Sequence, residues 1–213
     1  PGRDEWRGYL GTADLPVSFD PADGVIASAN NRPVAALEVP IGYFFSSSDR
    51  VRRLKELVRA HEKLGIDDLA GIQRDVYAAS AVDLQGRLVA AAESAGLGQN
   101  DGERRLIEAL AAWDGHYSRE SKGALAFEVL VRHFIDAFYS PRLSEEDIAA
   151  LAGSGRVFEF IAEDLDDSDG NVAEALSIAL REAAPKFAGF ADWGEMHRLD
   201  LGHPLANIPV IGS

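Results

Sequence analysis

Two adjacent asparagines, Asn30-Asn31, follow a short apolar run and precede Arg32-Pro33. A side-chain amide offers N–H donors without charge, which suits it to the oxyanion that forms when a carbonyl is attacked. The same pair before Arg-Pro also makes an ordinary turn, and spacing by itself favours the turn. Further along, Arg50, Arg52 and Arg53 crowd the first turn of an expected helix. The helix dipole disfavours cations there by about 0.3–1 kcal/mol each. Asp49 offsets part of this. An arginine kept at that place has either a specific partner or a surface ion pair.

Other constellations exclude more than they suggest. The chain has no cysteine, which removes disulfides, thiolate metal sites and a cysteine nucleophile together. His61, His116, His133, His197 and His203 are scattered, and no third ligand stands at a metal-binding spacing from His197 and His203. Asp164, Asp166, Asp167 and Asp169 with Gly170 invite a calcium-loop reading. Counted from Asp164, however, Asp169 and Ala175 fall where such a loop needs its glycine and its bidentate glutamate. A solvated acidic turn capping the next helix is the expectation. Gly153-Ser154-Gly155 lacks the lysine and spacing of a phosphate loop. No metal and no cofactor is expected. The net charge of -14, from 35 acidic against 21 basic side chains, repels phosphate backbones and anionic headgroups. Nucleic acid and membrane are therefore not expected partners, and no apolar run approaches the roughly 18–20 residues of a bilayer span.

The elements that must position Asn30 and Arg50 divide the chain. Residues 1–45 hold five of the nine prolines (Pro1, Pro16, Pro21, Pro33 and Pro40) and read as extended and turn-rich. Within them, Gly24 to Ala29 reads as a buried strand running into the Asn30 turn. From Ser46 the pattern is helical. Ser46-Ser47-Ser48-Asp49 is a run of N-cap residues, followed by Val51, Leu54, Leu57, Val58 and His61 on one face. A second helix is expected from about Asp67 through Leu88, stopping by Gly96. A third carries Leu106, Leu110 and Trp113, and a fourth runs from Ala124 to Tyr139. Ser144 with Asp147, and Asn171 with Glu174, resemble capping boxes for two more helices, the last ending near Ala184 before Pro185. The tail from Trp193 to Ser213 reads as irregular. Gln73 and Asp75 are expected to anchor one helix to its neighbours, and Trp113 and Trp193 to sit in the core. The fold class is mainly α with a short β-containing N-terminal segment (1–45), followed by a helical body (46–213).

The order and spacing of several blocks add a resemblance. They are Trp6-Arg7-Gly8-Tyr9-Leu10, Asp14-Leu15-Pro16, Ala29-Asn30-Asn31-Arg32-Pro33 and Ser47-Ser48-Asp49-Arg50. They continue with Ile72-Gln73-Arg74-Asp75, Trp113-Asp114-Gly115, Trp193-Gly194-Glu195-Met196-His197 and His203-Pro204-Leu205. Together they resemble the middle of the β chain in the penicillin acylase (penicillin amidase) family. The resemblance covers essentially the whole chain, and the Ala-Asn-Asn-Arg-Pro and Ser-Ser-Asp-Arg blocks are its specific parts.

That resemblance implies a piece of an αββα N-terminal-nucleophile hydrolase. In such enzymes a serine freed by self-cleavage attacks an amide, using its own α-amino group as base, and water releases the acyl-enzyme. The serine is expected to lie outside this chain, so the chain alone is expected to be inactive. Asn30 takes the place of the family's oxyanion-hole asparagine, and Arg50 that of an arginine near the nucleophile. Expected partners are a small-molecule amide and the remaining α- and β-chain segments. The substrate is a penicillin, an acyl-homoserine lactone or a related amide. The resemblance implies a periplasmic or secreted location. Members with a structural calcium take a carboxylate from the stretch before the Asp-Arg block. Here that stretch is Val39-Pro40-Ile41-Gly42 with only Glu38 nearby, which puts the calcium site in doubt. The alternative is a non-catalytic helical binding or structural module.

Overall fold

The stretch from Lys122 to Tyr139 is apolar on nearly every side, and a helix of that kind must be covered all round. The computed structural model describes residues 8–34, 41–166 and 171–199. In it this stretch is α5 (Lys122–Tyr139), walled by α8 (Val172–Ala188), α4 (Asp101–Ala111), α6 (Glu145–Ala152) and α9 (Trp193–Met196). Phe127, Phe134 and Phe138 of α5 are fully buried with Leu106 and Leu110 of α4 and Leu176 and Leu180 of α8. Ala175, Ala179 and Ala183 interleave with those leucines on the α8 stripe, and their small side chains let α8 sit close against α5. α3 (Ala79–Ser94) adds Leu84 and Leu88 to the same core, and α7 (Val157–Asp166) packs across α3. Burying each such leucine is worth about 1.5–3 kcal/mol.

Local chemistry sets the helix ends. Ser121 accepts from the Ala124 amide at 3.0 Å, Asn100 from Glu103 at 2.9 Å and Asp192 from Glu195 at 2.9 Å. Ser144 caps α6 by accepting from Asp147 at 3.2 Å, as its spacing predicts. Trp113 is buried just past α4 and donates its indole N–H to the His116 carbonyl at 2.9 Å. Gly123 lies flat against that indole, where a Cβ would collide with the ring.

Several expectations are corrected. Val25 to Ala29 form no strand, and Ile26 is 69% exposed. A strand needs a neighbour to take its amides and carbonyls. Among the described residues, this region has only the single parallel bridge Asn31–Ser46. The second helix is two: α2 (Ile66–Gln73) and α3, broken at 74–78. There the backbone is used sideways. The Val76 carbonyl accepts from Tyr117 at 3.1 Å, and the Ala78 amide donates to Gly115 at 3.1 Å.

α8 runs through Pro185 to Ala188, because burial of Ala183 and Ala184 and the packing of Phe187 outweigh one missing amide. Asn171 makes no side-chain cap. Asp164 and Asp166 belong to α7, not to a solvated turn: Asp164 accepts from the Tyr139 hydroxyl and Asp166 pairs with Arg87. Asp167, Asp169 and Gly170 lie outside the described residues. The tail opens with a short helix, α9, capped by Asp192, and His203 to Leu205 lie outside the described residues. His61 falls beyond α1 (Asp49–Arg59) and is exposed.

Candidate active site

Asn30 has φ +63, the left-handed region that asparagine tolerates better than most side chains. Its neighbour holds the turn. Asn31 Oδ1 accepts from the Ala29 amide at 3.2 Å, and Asn31 Nδ2 donates to the Arg32 carbonyl at 2.9 Å. The Asn30 carbonyl accepts from the Ser46 amide at 2.8 Å. Residues 30–31 are thus laid beside Ser46, three positions before α1 begins. Arg32 adds a second tie, its guanidinium 5.2 Å from the centre of the Phe45 ring.

This arrangement joins the two residues singled out from the sequence. Arg50, at the second position of α1, donates from Nη1 to Asn30 Oδ1 at 3.3 Å. A guanidinium can only donate, so the amide oxygen must face it. Asn30 Nδ2 then points elsewhere and has no acceptor among the described residues. Asn30 and Arg50 are both exposed, so the free N–H donors are open to a ligand. The pair offers uncharged N–H donors beside a cation, an arrangement able to donate to a developing oxyanion.

The other two arginines of the first turn have different work. Arg52 pairs with Asp49 at 2.6 Å. Arg53 grips Asp75 with Nε and Nη2, both at 2.9 Å, and lies 4.7 Å from the centre of the Tyr77 ring. The anchoring role expected of Asp75 is therefore present, whereas Gln73 is exposed and ties to nothing among the described residues. The Arg53 hydrogen bonds hold the Asp75 carboxyl below the usual carboxylate range against the opposing effect of burial, and Asp75 raises the guanidinium in return. Burial pushes Asp49 up, but hydrogen bonds from Ser80 and Arg52 prevail and leave it lowered. Through the Ser80 amide, at 2.8 Å, Asp49 also fixes the start of α1 to the start of α3.

A cleft of about 650 Å³ adjoins this site, lined by Arg32, Tyr43, Phe44, Ser46, Arg156 and Phe160 among others. Phe44 is fully exposed. One floor residue carried no signal in the sequence. Glu159 of α7 accepts from Ser47 Oγ at 2.5 Å and from Arg156 Nε at 2.6 Å, across a separation of 112 residues that periodicity and capping patterns do not bridge.

A second cleft, about 880 Å³, is lined by Tyr117, Arg119, Trp193, Gly194, His197 and Arg198. Trp193, read as core, is half-buried at its edge and stacks on His197 with ring centres 4.5 Å apart. Behind it, Tyr117 donates to Glu128 at 2.5 Å. Burial pushes the Glu128 carboxyl up, opposed by the Tyr117 hydroxyl and by His197.

The sequence model of the family described as penicillin amidase matches residues 1–213. The chain belongs to that family. It is 29% identical to the penicillin acylase 2 proenzyme of Pseudomonas sp. (strain SE83) over 222 aligned residues, covering 96% of this chain and 28% of that protein. It is 30% identical to the penicillin G acylase of Escherichia coli over 119 residues, covering 54% of this chain and 14% of that protein. The chain therefore spans under a third of either relative's length. No described helix is long and apolar enough to cross a membrane. Glu38, Val39 and Pro40, on which the calcium question turns, lie outside the described residues.

Proposed function

We propose that the protein carrying this chain is an amidohydrolase that removes an acyl group from an amine, and that Asn30 is its oxyanion donor. A serine hydroxyl supplied from outside this chain attacks the amide carbonyl, and negative charge gathers on the carbonyl oxygen. Asn30 Nδ2 donates to that oxygen, and the guanidinium of Arg50 keeps the amide facing the right way. The serine's α-amino group takes the hydroxyl proton and passes it to the nitrogen of the amine, which leaves as the intermediate collapses to an acyl-serine that water hydrolyses. The substrate class is a penicillin, an acyl-homoserine lactone or a related small amide. By the same likeness, the working protein includes further α- and β-chain segments and is periplasmic or secreted.

The observation that carries this reading is the Arg50–Asn30 hydrogen bond. A turn-forming asparagine needs no cation on its side-chain oxygen, whereas a donor needs its oxygen occupied and its nitrogen free. In the full-length protein, Asn30→Ala lowers kcat by about 10²–10³, the loss expected for one oxyanion donor, while KM changes far less. Near-wild-type kcat would return Asn30 to the role of a turn former.

A further inference from the structure

Asn30 and Arg50 lie on separate pieces of chain, and their 3.3 Å contact survives only if those pieces keep a fixed spacing. Asn30 is tied to Ser46 through its backbone carbonyl, and Arg50 is borne by α1, which begins at Asp49. Ser47 stands between the two. Its hydroxyl oxygen accepts from the Asp49 amide at 3.1 Å, at the first residue of α1, and its O–H donates to Glu159 Oε1 at 2.5 Å. Glu159 is held by Arg156 and keeps only 22% of its side chain exposed. The two carboxylate oxygens divide the work: Oε1 accepts from Ser47 and Oε2 from Arg156.

We infer that Glu159 is a positioning residue for the Asn30–Arg50 pair, acting from α7 through Ser47 on the 46–49 strip. The inference rests on the proposed role of Asn30, but its mechanical part does not. Without Glu159 the Ser47 hydroxyl is free to rotate, the Asp49 amide loses its oriented acceptor, and residues 46–49 gain freedom. Ser46 then holds the Asn30 carbonyl less firmly, and the donor drifts from the oxyanion. Displacements of this kind, remote from the bond being broken, cost rate through lost alignment.

The test uses the full-length protein in two arms. Hydrogen exchange reads the mechanical part: in Glu159→Ala the Ser46 and Asp49 amides exchange about tenfold faster, while α5 amides are unchanged. Kinetics reads the consequence: kcat falls about tenfold with KM within twofold, and Glu159→Ala adds nothing further to the loss in Asn30→Ala. Glu159→Gln, which keeps an acceptor for Ser47, recovers kcat to within about threefold of wild type. Ser47→Ala reproduces the Glu159→Ala exchange and kcat, and carries the test should Glu159→Ala fail to fold. Unchanged exchange at Ser46 and Asp49 would overturn the inference. So would an equal kcat loss in the wild-type and Asn30→Ala backgrounds. Full kcat in Asn30→Ala with altered Ser46 exchange would instead reject the donor role of Asn30 and leave Glu159 as the clamp of the strip.

Discussion

Replacing Arg53 with methionine tests how α1 is fastened to the helical body. Methionine keeps an apolar stem over Tyr77 but removes every donor. Three losses follow. The cation over the Tyr77 ring, at 4.7 Å, is worth about 0.5–1 kcal/mol. The two-pronged pair with Asp75 belongs near the upper end of the roughly 0.2–1 kcal/mol measured for exposed pairs, because the two side chains are only 26% and 15% exposed. Asp75 is then left partly buried without its cation, which adds a fraction of the ~1–3 kcal/mol cost of an unsatisfied group. The total is about 2 kcal/mol. At a urea dependence of ~2–3 kcal/mol per molar, the midpoint falls by about 0.7–1 M. Urea unfolding followed by far-UV circular dichroism measures it. Asp75→Asn in the same chain removes the orphaned charge, so the double variant should recover part of the loss. A midpoint shift under about 0.2 M for Arg53→Met would refute the reasoning, as would a double variant weaker than both singles combined.

Three further outcomes follow from the same physics. Because burial raises the Glu128 carboxyl, the native state holds a proton that the unfolded chain releases, and stability drops as pH rises through that shifted range. Glu128→Gln has no such loss, so it melts higher than wild type at neutral pH and the gap closes at acid pH; a constant gap would remove burial as the cause. In hydrogen exchange, amides of α5 and α8, whose stripes fill the core, outlast those of Val25 to Ala29; the reverse order in a monomer would contradict a self-sufficient helical body. Calcium in calorimetric titration shows no micromolar binding at the Asp164–Asp169 stretch, since Asp164 and Asp166 already serve Tyr139 and Arg87. A micromolar site abolished by Asp166→Asn would reverse that.

What the sequence made legible was local. The apolar run from Ala124 to Tyr139 marked α5, which begins two residues earlier at Lys122, and the Ser144 cap follows from Asp147 standing three residues on. Family blocks brought Asn30 and Arg50 forward together, and the fold puts them in hydrogen-bond contact. The break between α2 and α3 was hidden, because the apolar period runs on through Val76 while the backbone there turns to meet Gly115 and Tyr117. Pro185 looked like a stop because the sequence shows the lost amide and not the core that Ala183, Ala184 and Phe187 enter. The 24–29 stretch looked like a strand because its composition suits one, but pairing depends on a neighbour that local pattern cannot supply. Glu159 was invisible for the plainest reason: its partner Ser47 is far away in sequence.

The central claim, that Asn30 works as a donor and not as a turn, is tested most directly by comparing two replacements in the full-length protein. At φ +63, alanine carries a backbone penalty of about 1–2 kcal/mol that glycine escapes. Asn30→Gly therefore keeps the turn and removes only the side-chain amide. The account predicts that kcat for amide hydrolysis falls by about 10²–10³ in Asn30→Gly as in Asn30→Ala, with KM little changed. An Asn30→Gly enzyme with wild-type kcat would contradict it.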